Sequence, residues 1–202
     1  MRLLTLISAV FTCLLSTSLR ADTWKAGTAR VDITPQKPIW MAGYGGRTKP
    51  SEGMIHPLWA KALALEDAEG RRAVIIGTDT LGMTQSIYAA IKKRLNESHD
   101  LEADQIMINA SHTHTGPVLR GGLYDIYPLT DAHLQVIDEY SAKLEDQLCA
   151  IVAEAFEKLE PVELRHGIGI SRFGANRREN RPESGVPERR LVNTMKGPVD
   201  HD

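Results

Sequence analysis

The longest periodic segment of the chain covers residues 131–159. Its apolar residues recur with the spacing of one helical face, and charged residues stand between them. These apolar positions are Leu134, Ile137, Tyr140, Leu144, Leu148, Ile151, Ala155 and Leu159. A helix of this kind must bury its apolar face, so we expect it to cover a sheet. Thr130 or Asp131 is the expected N-cap, and Pro161 is expected to stop the helix.

Short apolar runs upstream of this helix predict the strands of such a sheet. Residues 24–34 alternate as a strand, which Pro35 ends. Residues 58–66 and 72–77 are two further strand candidates on either side of a turn at 67–70. Two strands that flank a short turn predict a β-hairpin.

A strand, a helix and a second strand follow one another in the centre of the chain. The helix is predicted over 85–95, between the strand at 72–77 and a strand at 105–110. This order is typical of a βαβ unit with parallel strands, whose ends lie on the same edge of one sheet. Alternation predicts one more strand over 162–170. The predicted class is therefore α/β, a mixed sheet with a βαβ unit and a long amphipathic covering helix.

The first residues have the pattern of a secretory signal. Arg2 gives a positive start, residues 3–15 are apolar, and residues 16–21 offer small side chains for cleavage near Ala21. We therefore predict a signal peptide over 1–21 and a mature chain that is secreted or periplasmic. Residues 22–202 are enough for one domain with a real core.

Composition excludes several partners for the mature chain. The net charge is −2, with acids and bases mixed along the sequence, so nothing points to nucleic acid or to an anionic membrane surface. After the signal, no apolar segment approaches the length of a membrane span. Cys149 is the cysteine that remains after cleavage, and its apolar neighbours predict core packing.

Two histidines follow the apolar strand at 105–110. His112 and His114 stand in Ser-His-Thr-His-Thr-Gly-Pro, at a point where α/β proteins often bind ligands. In a strand or a strand-like loop, both side chains would point to the same face. Imidazole is a common zinc ligand, which favours a metal site. The alternative is a polar loop in which Ser, Thr and His hydrogen-bond one another.

Other candidate site residues come from the neighbouring loops. Asp79 follows the strand at 72–77 and is either an acceptor for a ligating histidine or a capping residue. Gly43 and Tyr44 belong to a glycine-rich loop that either turns sharply or lines a pocket. An arginine-rich stretch begins after Ser171, either as a basic linker or as a loop that folds over a site.

The order of these motifs resembles the N-terminal part of the neutral/alkaline, non-lysosomal ceramidase family. The resemblance covers essentially the whole mature chain, and its most specific element is His-Thr-His-Thr-Gly-Pro. The matching segments are Ala-Arg-Val-Asp-Ile-Thr-Pro at 29–35, Met-Ala-Gly-Tyr-Gly at 41–45, Gly-Thr-Asp-Thr-Leu-Gly-Met at 77–83, Ser-His-Thr-His-Thr-Gly-Pro at 111–117 and Ala-Asn-Arg-Arg at 175–178.

This resemblance implies a zinc-dependent hydrolysis of an N-acyl, ceramide-like lipid by a metal-bound water. The family's first zinc ligand falls on His112, its substrate-facing histidine on His114, and its Asn-Arg arginine on Arg177. The loop with Gly43 and Tyr44 would then lie near the mouth of the pocket. The remaining zinc ligands of the family lie in segments expected beyond Asp202, within a larger catalytic domain. The resemblance therefore implies that these 202 residues alone are inactive.

Two other interpretations stay open at this point. Arg178 stands where ceramidases tend to have serine, which indicates a divergent member, and a non-catalytic secreted module is the main alternative. His-x-His also begins the sites of metallo-β-lactamase-like enzymes and amidohydrolases. Thr115-Gly116 replaces the Asp-His expected in the first class. The strands that precede the pair argue against the second.

Overall fold

The computed structural model describes residues 24–170 and the backbone of residues 178–181 and 188–191. The chain divides into two compact units, one ending at Glu163 and one beginning at Leu164. In the second unit, β6 (Arg178–Arg181) and β7 (Glu188–Leu191) form an antiparallel pair. The predicted signal peptide over 1–21 lies outside the described residues.

The first unit is built on one mixed sheet. Its strands are β1 (Trp24–Asp32), β2 (Trp59–Glu66), β3 (Arg72–Thr78), β4 (Ile106–Ala110) and β5 (Glu160–Val162). They lie in the order β4-β3-β2-β1-β5. β3 and β4 are parallel, and the other pairs are antiparallel. The mixed α/β class, the β2–β3 hairpin and the parallel pairing of β3 and β4 are therefore confirmed.

The described residues form two α-helices, α1 (Gln85–His99) and α2 (Asp131–Glu157). Thr130 is the N-cap of α2, and its side-chain oxygen accepts a hydrogen bond from the backbone N–H of His133. The predicted apolar faces are buried, with Ile87, Ile91 and Leu95 on α1 and Leu144 and Leu148 on α2. Neither helix combines the length and the apolarity that a membrane span needs.

Both helices pack in one core with the buried side chains of the sheet. Strand alternation points Ala60, Ala62 and Ala64 of β2 into this core, and small side chains there let α2 lie close to the sheet. Residues between them point to the opposite face, where Ile75 and Met107 are paired across β3 and β4 and are exposed. Cys149 packs against the core, as expected, and its burial raises the pKa of the thiol.

The predicted strand over 162–170 is wrong beyond Val162. β5 pairs only with β1, and its last partner is Trp24, the first residue of β1. All residues from 163 to 170 are exposed, so none of the alternating apolar side chains is buried against a sheet or a core. The chain from 163 to 170 has no regular structure, and Ile168 is 95% exposed. Pro161 lies within β5 rather than directly after the helix, at an edge position where proline is tolerated.

Candidate active-site loops

Two loops of the candidate site begin at the same edge of the sheet. Thr78, the last residue of β3, is in register with Ala110, the last residue of β4. The backbone N–H of Ser111 continues the pairing and donates to the carbonyl of Thr78 over 2.9 Å. Because β3 and β4 are parallel, the chain leaves both strands in the same direction. The segments after Thr78 and after Ala110 are therefore neighbours, as the sequence predicts.

A third loop, with the glycine-rich segment, is joined to the second. Met41 forms an isolated antiparallel bridge with Pro117. The N–H of Ala42 donates to the carbonyl of Gly116, and the N–H of Val118 donates to the carbonyl of Trp40, each over 2.8 Å. A buried apolar cluster lies beneath this junction and holds it in place. Its members are Ile39, Trp40, Ala42, Val118, Tyr127 and Ile137.

His112 is held in a defined orientation. Its Nδ1 lies 2.7 Å from the carbonyl oxygen of Leu81, in the loop after β3. A carbonyl only accepts, so Nδ1 must carry the proton, and in the neutral ring Nε2 is then left with a free lone pair. Metal-ligating histidines commonly have this arrangement, in which one ring nitrogen is tied to a carbonyl and the other binds the ion. The residue is exposed, so its ring is accessible to a ligand.

The backbone of His112 is in the left-handed region, with φ of 57°. Non-glycine residues seldom adopt this conformation, and where they do the surrounding structure must enforce it. The two histidines are therefore not brought together by the alternation of a strand. The chain bends at His112, and the rings of His112 and His114 meet edge to face with 5.2 Å between their centroids.

His114 is enclosed by the glycine-rich loop. The edge-to-face contact with Tyr44 places the two ring centroids 4.8 Å apart. Gly43 has φ of 104°, and a Cβ added there would lie 2.5 Å from Cγ of His114. Only glycine allows so close an approach. Nδ1 of His114 is buried and has no hydrogen-bond partner among the described residues, a condition that is uncommon in native structures.

Asp79 lies in the loop after β3 and is bonded to the sheet. Its carboxylate Oδ2 accepts from the backbone N–H of Trp59, and its own N–H donates to the carbonyl of Trp59, both over 2.9 Å. The described partner of His112 is thus Leu81, two residues further along. The role of Asp79 as an acceptor for a ligating histidine stays a prediction. Arg177 lies outside the described residues, and so does any contact it makes with this site.

Arg47 is a member of the site that the sequence did not single out. One terminal nitrogen donates to the backbone carbonyl of His114 over 2.6 Å, and the guanidinium lies 5.3 Å from the ring centroid of Tyr44. The available signal is its position at the end of Met-Ala-Gly-Tyr-Gly-Gly-Arg, directly after the glycine-rich run. Nothing in that position specifies a partner 67 residues away in the chain.

Among the described residues, His112 fits one ligand position of a zinc site. Nε2 of His112 has the free lone pair and the fixed ring that a zinc ligand needs. Within residues 24–170, no three His, Cys, Asp or Glu side chains are grouped closely enough to hold an ion by themselves. Structural and catalytic zinc sites take at least three protein ligands.

Comparison with known proteins shows which sequences and structures this chain is similar to. A sequence model described as "Neutral/alkaline non-lysosomal ceramidase, N-terminal" matches residues 24–180. The neutral ceramidase of Pseudomonas aeruginosa is 30% identical over 171 residues, which cover 81% of this chain and 25% of that protein. The neutral ceramidase of Drosophila melanogaster is 30% identical over 131 residues, which cover 62% of this chain and 18% of that protein.

Solved structures show the same fold. A crystal structure of neutral ceramidase from Pseudomonas aeruginosa superposes with a TM-score of 0.56 at 23% sequence identity. The superposition covers 69% of this chain and 22% of that one. This chain therefore spans a quarter or less of the length of these relatives.

Proposed function

Because this chain belongs to the neutral/alkaline non-lysosomal ceramidase family, we propose that it supplies the first part of a zinc-dependent site for amide hydrolysis. The substrate class is an N-acyl lipid of the ceramide type, in keeping with the names of the relatives. The site works outside the cytoplasm once residues 1–21 are removed as a signal peptide.

One observation carries this proposal, the hydrogen bond between Nδ1 of His112 and the carbonyl of Leu81. This bond fixes the ring and leaves Nε2 for the metal. The further ligands are proposed to come from beyond Asp202. When bound, zinc supplies a Lewis acid for the amide carbonyl and lowers the pKa of a water molecule.

The chain's own residues position the substrate and transfer a proton to its leaving amine. Nδ1 of His114 is buried, so Nε2 is the nitrogen that a substrate can reach. We place this atom on the substrate side, where it transfers a proton to the leaving amine. Gly43 and Tyr44 enclose the ring and hold it beside His112. Arg177 is proposed to bind the substrate from the arginine-rich stretch.

The test is the substitution His112→Ala in the natural gene product that contains this chain. We expect the wild-type protein to contain stoichiometric zinc and to hydrolyse N-dodecanoyl-sphingosine. The variant should lose the zinc, and its kcat/KM should fall by more than about 100-fold. Loss of a residue that only hydrogen-bonds to a metal ligand typically costs up to about 100-fold. Zinc is measured by mass spectrometry, and hydrolysis by release of dodecanoic acid.

The matched control is His99→Asn. His99 ends α1, stacks on Phe156 and does not touch the histidine pair, so zinc and activity should be retained. Retention of both in His112→Ala would show that the metal assignment is wrong. A wild-type protein with neither zinc nor amide hydrolysis would favour the alternative of a non-catalytic secreted module.

A further inference from the structure

A broad groove opens beside the histidine pair. It has a volume of about 830 Å³ and is formed mainly by residues 34–58, with Thr115 from the His-Thr-His-Thr segment at one side. This volume lies within the usual range of small-molecule sites. Its apolar lining includes Met41, Met54, Ile55 and Leu58. Such a surface suits an acyl chain or another apolar part of a ligand.

The groove also contains three cationic side chains, of which two are neutralised. Lys37 pairs with Glu139 over 2.8 Å, and Lys49 pairs with Glu52 over 2.7 Å. Arg47 differs from both, because no carboxylate within residues 24–170 pairs with it. Its Nε is buried and has no described acceptor.

Arg47 is nevertheless fixed in place. The bond to the carbonyl of His114 and the contact with Tyr44 use one terminal nitrogen and one face of the guanidinium. The buried Nε is out of reach of a ligand, but the other terminal nitrogen has no acceptor among the described residues and stays available. A guanidinium presents its donors in a rigid fork that matches a carboxylate or a phosphate group. A partly buried cation with no counter-ion among the described residues favours such a ligand.

We propose that Arg47 binds an anionic group of the substrate, a carboxylate or a phosphate, next to the amide bond that is cleaved. Among N-acyl amides, one with an acidic head group then binds more tightly to this groove than one that is neutral throughout. The identity of the reacting bond rests on the proposed function. The charge preference rests on the groove and on Arg47 alone.

The test compares three ligands with the same acyl chain. N-dodecanoylglycine carries a carboxylate, N-dodecanoyl-phosphoethanolamine carries a phosphate, and N-dodecanoylethanolamine is neutral. Their dissociation constants are measured by calorimetry with a chelator present, so that no hydrolysis occurs. We expect at least one anionic ligand to bind about tenfold or more tightly than the neutral one, as a charge-assisted hydrogen bond allows. Which of the two does so distinguishes the carboxylate from the phosphate.

The variant Arg47→Gln should reduce this ratio of affinities to about one, because the charge that produces it is lost. Arg47→Lys should keep part of it. The control is Arg30→Gln, which removes another arginine that lies over an aromatic ring, 4.9 Å from the ring centroid of Trp59. Arg30 does not line the groove, so the ratio should stay at the wild-type value.

The ratio of affinities distinguishes a role of Arg47 in binding the anionic group from a role in positioning His114. If Arg47 only holds His114, the substitution weakens all three ligands equally and the ratio does not change, which would overturn the proposal. An equal affinity of the wild-type protein for charged and neutral ligands would overturn it as well. If the three ligands bind with the expected ratio and N-dodecanoyl-sphingosine is not hydrolysed without chelator, the proposed function fails and the role of Arg47 stands.

Discussion

Two residues of the candidate site have unusual backbone conformations that permit close contacts. His112 is in a left-handed conformation, and Gly43 has a positive φ beside the ring of His114. A side chain at position 43 would displace this ring, and an extended His112 would break its bond to Leu81. Local conformations that cost free energy are typical of functional sites, where the surrounding structure enforces them.

His99 offers a pH test at the same scale. Its ring stacks on Phe156, and burial together with the positive charge of Arg72 lowers its pKa. The folded protein thus binds a proton at His99 less readily than the unfolded chain. The stability contribution is complete above the ordinary pKa of 6.5 and is lost as the pH falls below it.

We therefore expect the free energy of unfolding to fall more steeply below about pH 6.5 in the wild-type protein than in His99→Gln. Urea unfolding at several pH values between about 5 and 8 measures this difference. His166→Gln is the control for the loss of one imidazole, at an exposed position. Identical slopes in the wild-type protein and His99→Gln would show that His99 titrates normally.

The two helices differ in whether a side chain accepts a hydrogen bond from the backbone N–H groups of the first turn. Thr130 caps α2 with its side chain, and its own backbone N–H donates to Nδ1 of His133. Thr84 is the corresponding residue of α1, and its side chain makes no capping bond. The first N–H groups of a helix lack partners within the helix, so the bond of Thr130 stabilises α2 directly.

Thr130→Ala should lower the free energy of unfolding by about 1 kcal/mol, the usual effect of losing a side-chain cap. Thr84→Ala is a matched control at the same helix position and should have a clearly smaller effect. Chemical denaturation of the two variants and the wild-type protein measures both values. Equal losses would mean that the bond of Thr130 contributes nothing particular to stability.

The first unit as a whole is a sheet with both helices packed into one core. Leu144 is fully buried on α2, within the cluster that joins this helix to α1 and the central strands. On the other face of the sheet, Ile75 and Met107 are neighbours and lie exposed. The distribution of apolar side chains is therefore uneven between the two faces.

Leu144→Ala should reduce the free energy of unfolding by about 2–5 kcal/mol, because it leaves a cavity in close-packed surroundings. Met107→Ala, at a residue that is 60% exposed, should change it by less than about 0.5 kcal/mol. Both are measured by urea unfolding. If Met107→Ala is as costly as Leu144→Ala, this face of the sheet is buried in solution.

Much of the fold follows from local periodicity. The spacing of Leu144 and Leu148 predicts the covering helix, and the alternation at 58–66 and 72–77 predicts the hairpin, because a side-chain period depends only on residues close in the chain. The strand, helix, strand order likewise predicts the parallel pairing of β3 and β4, which brings the loops after them to one edge. The His-Thr-His-Thr segment predicts which of these loops carries chemistry.

Only the tertiary structure decides which distant atoms meet. The carbonyl of Leu81 lies beside His112, and Arg47 lies against His114, although neither residue has a pattern that specifies its partner. β5 ends at Val162, and the residues from 163 to 170 are exposed, although their alternation predicts a strand. These contacts depend on the closing of long loops and on hydrogen bonds between separate strands. The sequence by itself therefore determines the elements and the candidate segment with the two histidines, and the packing of the chain determines how that segment is oriented.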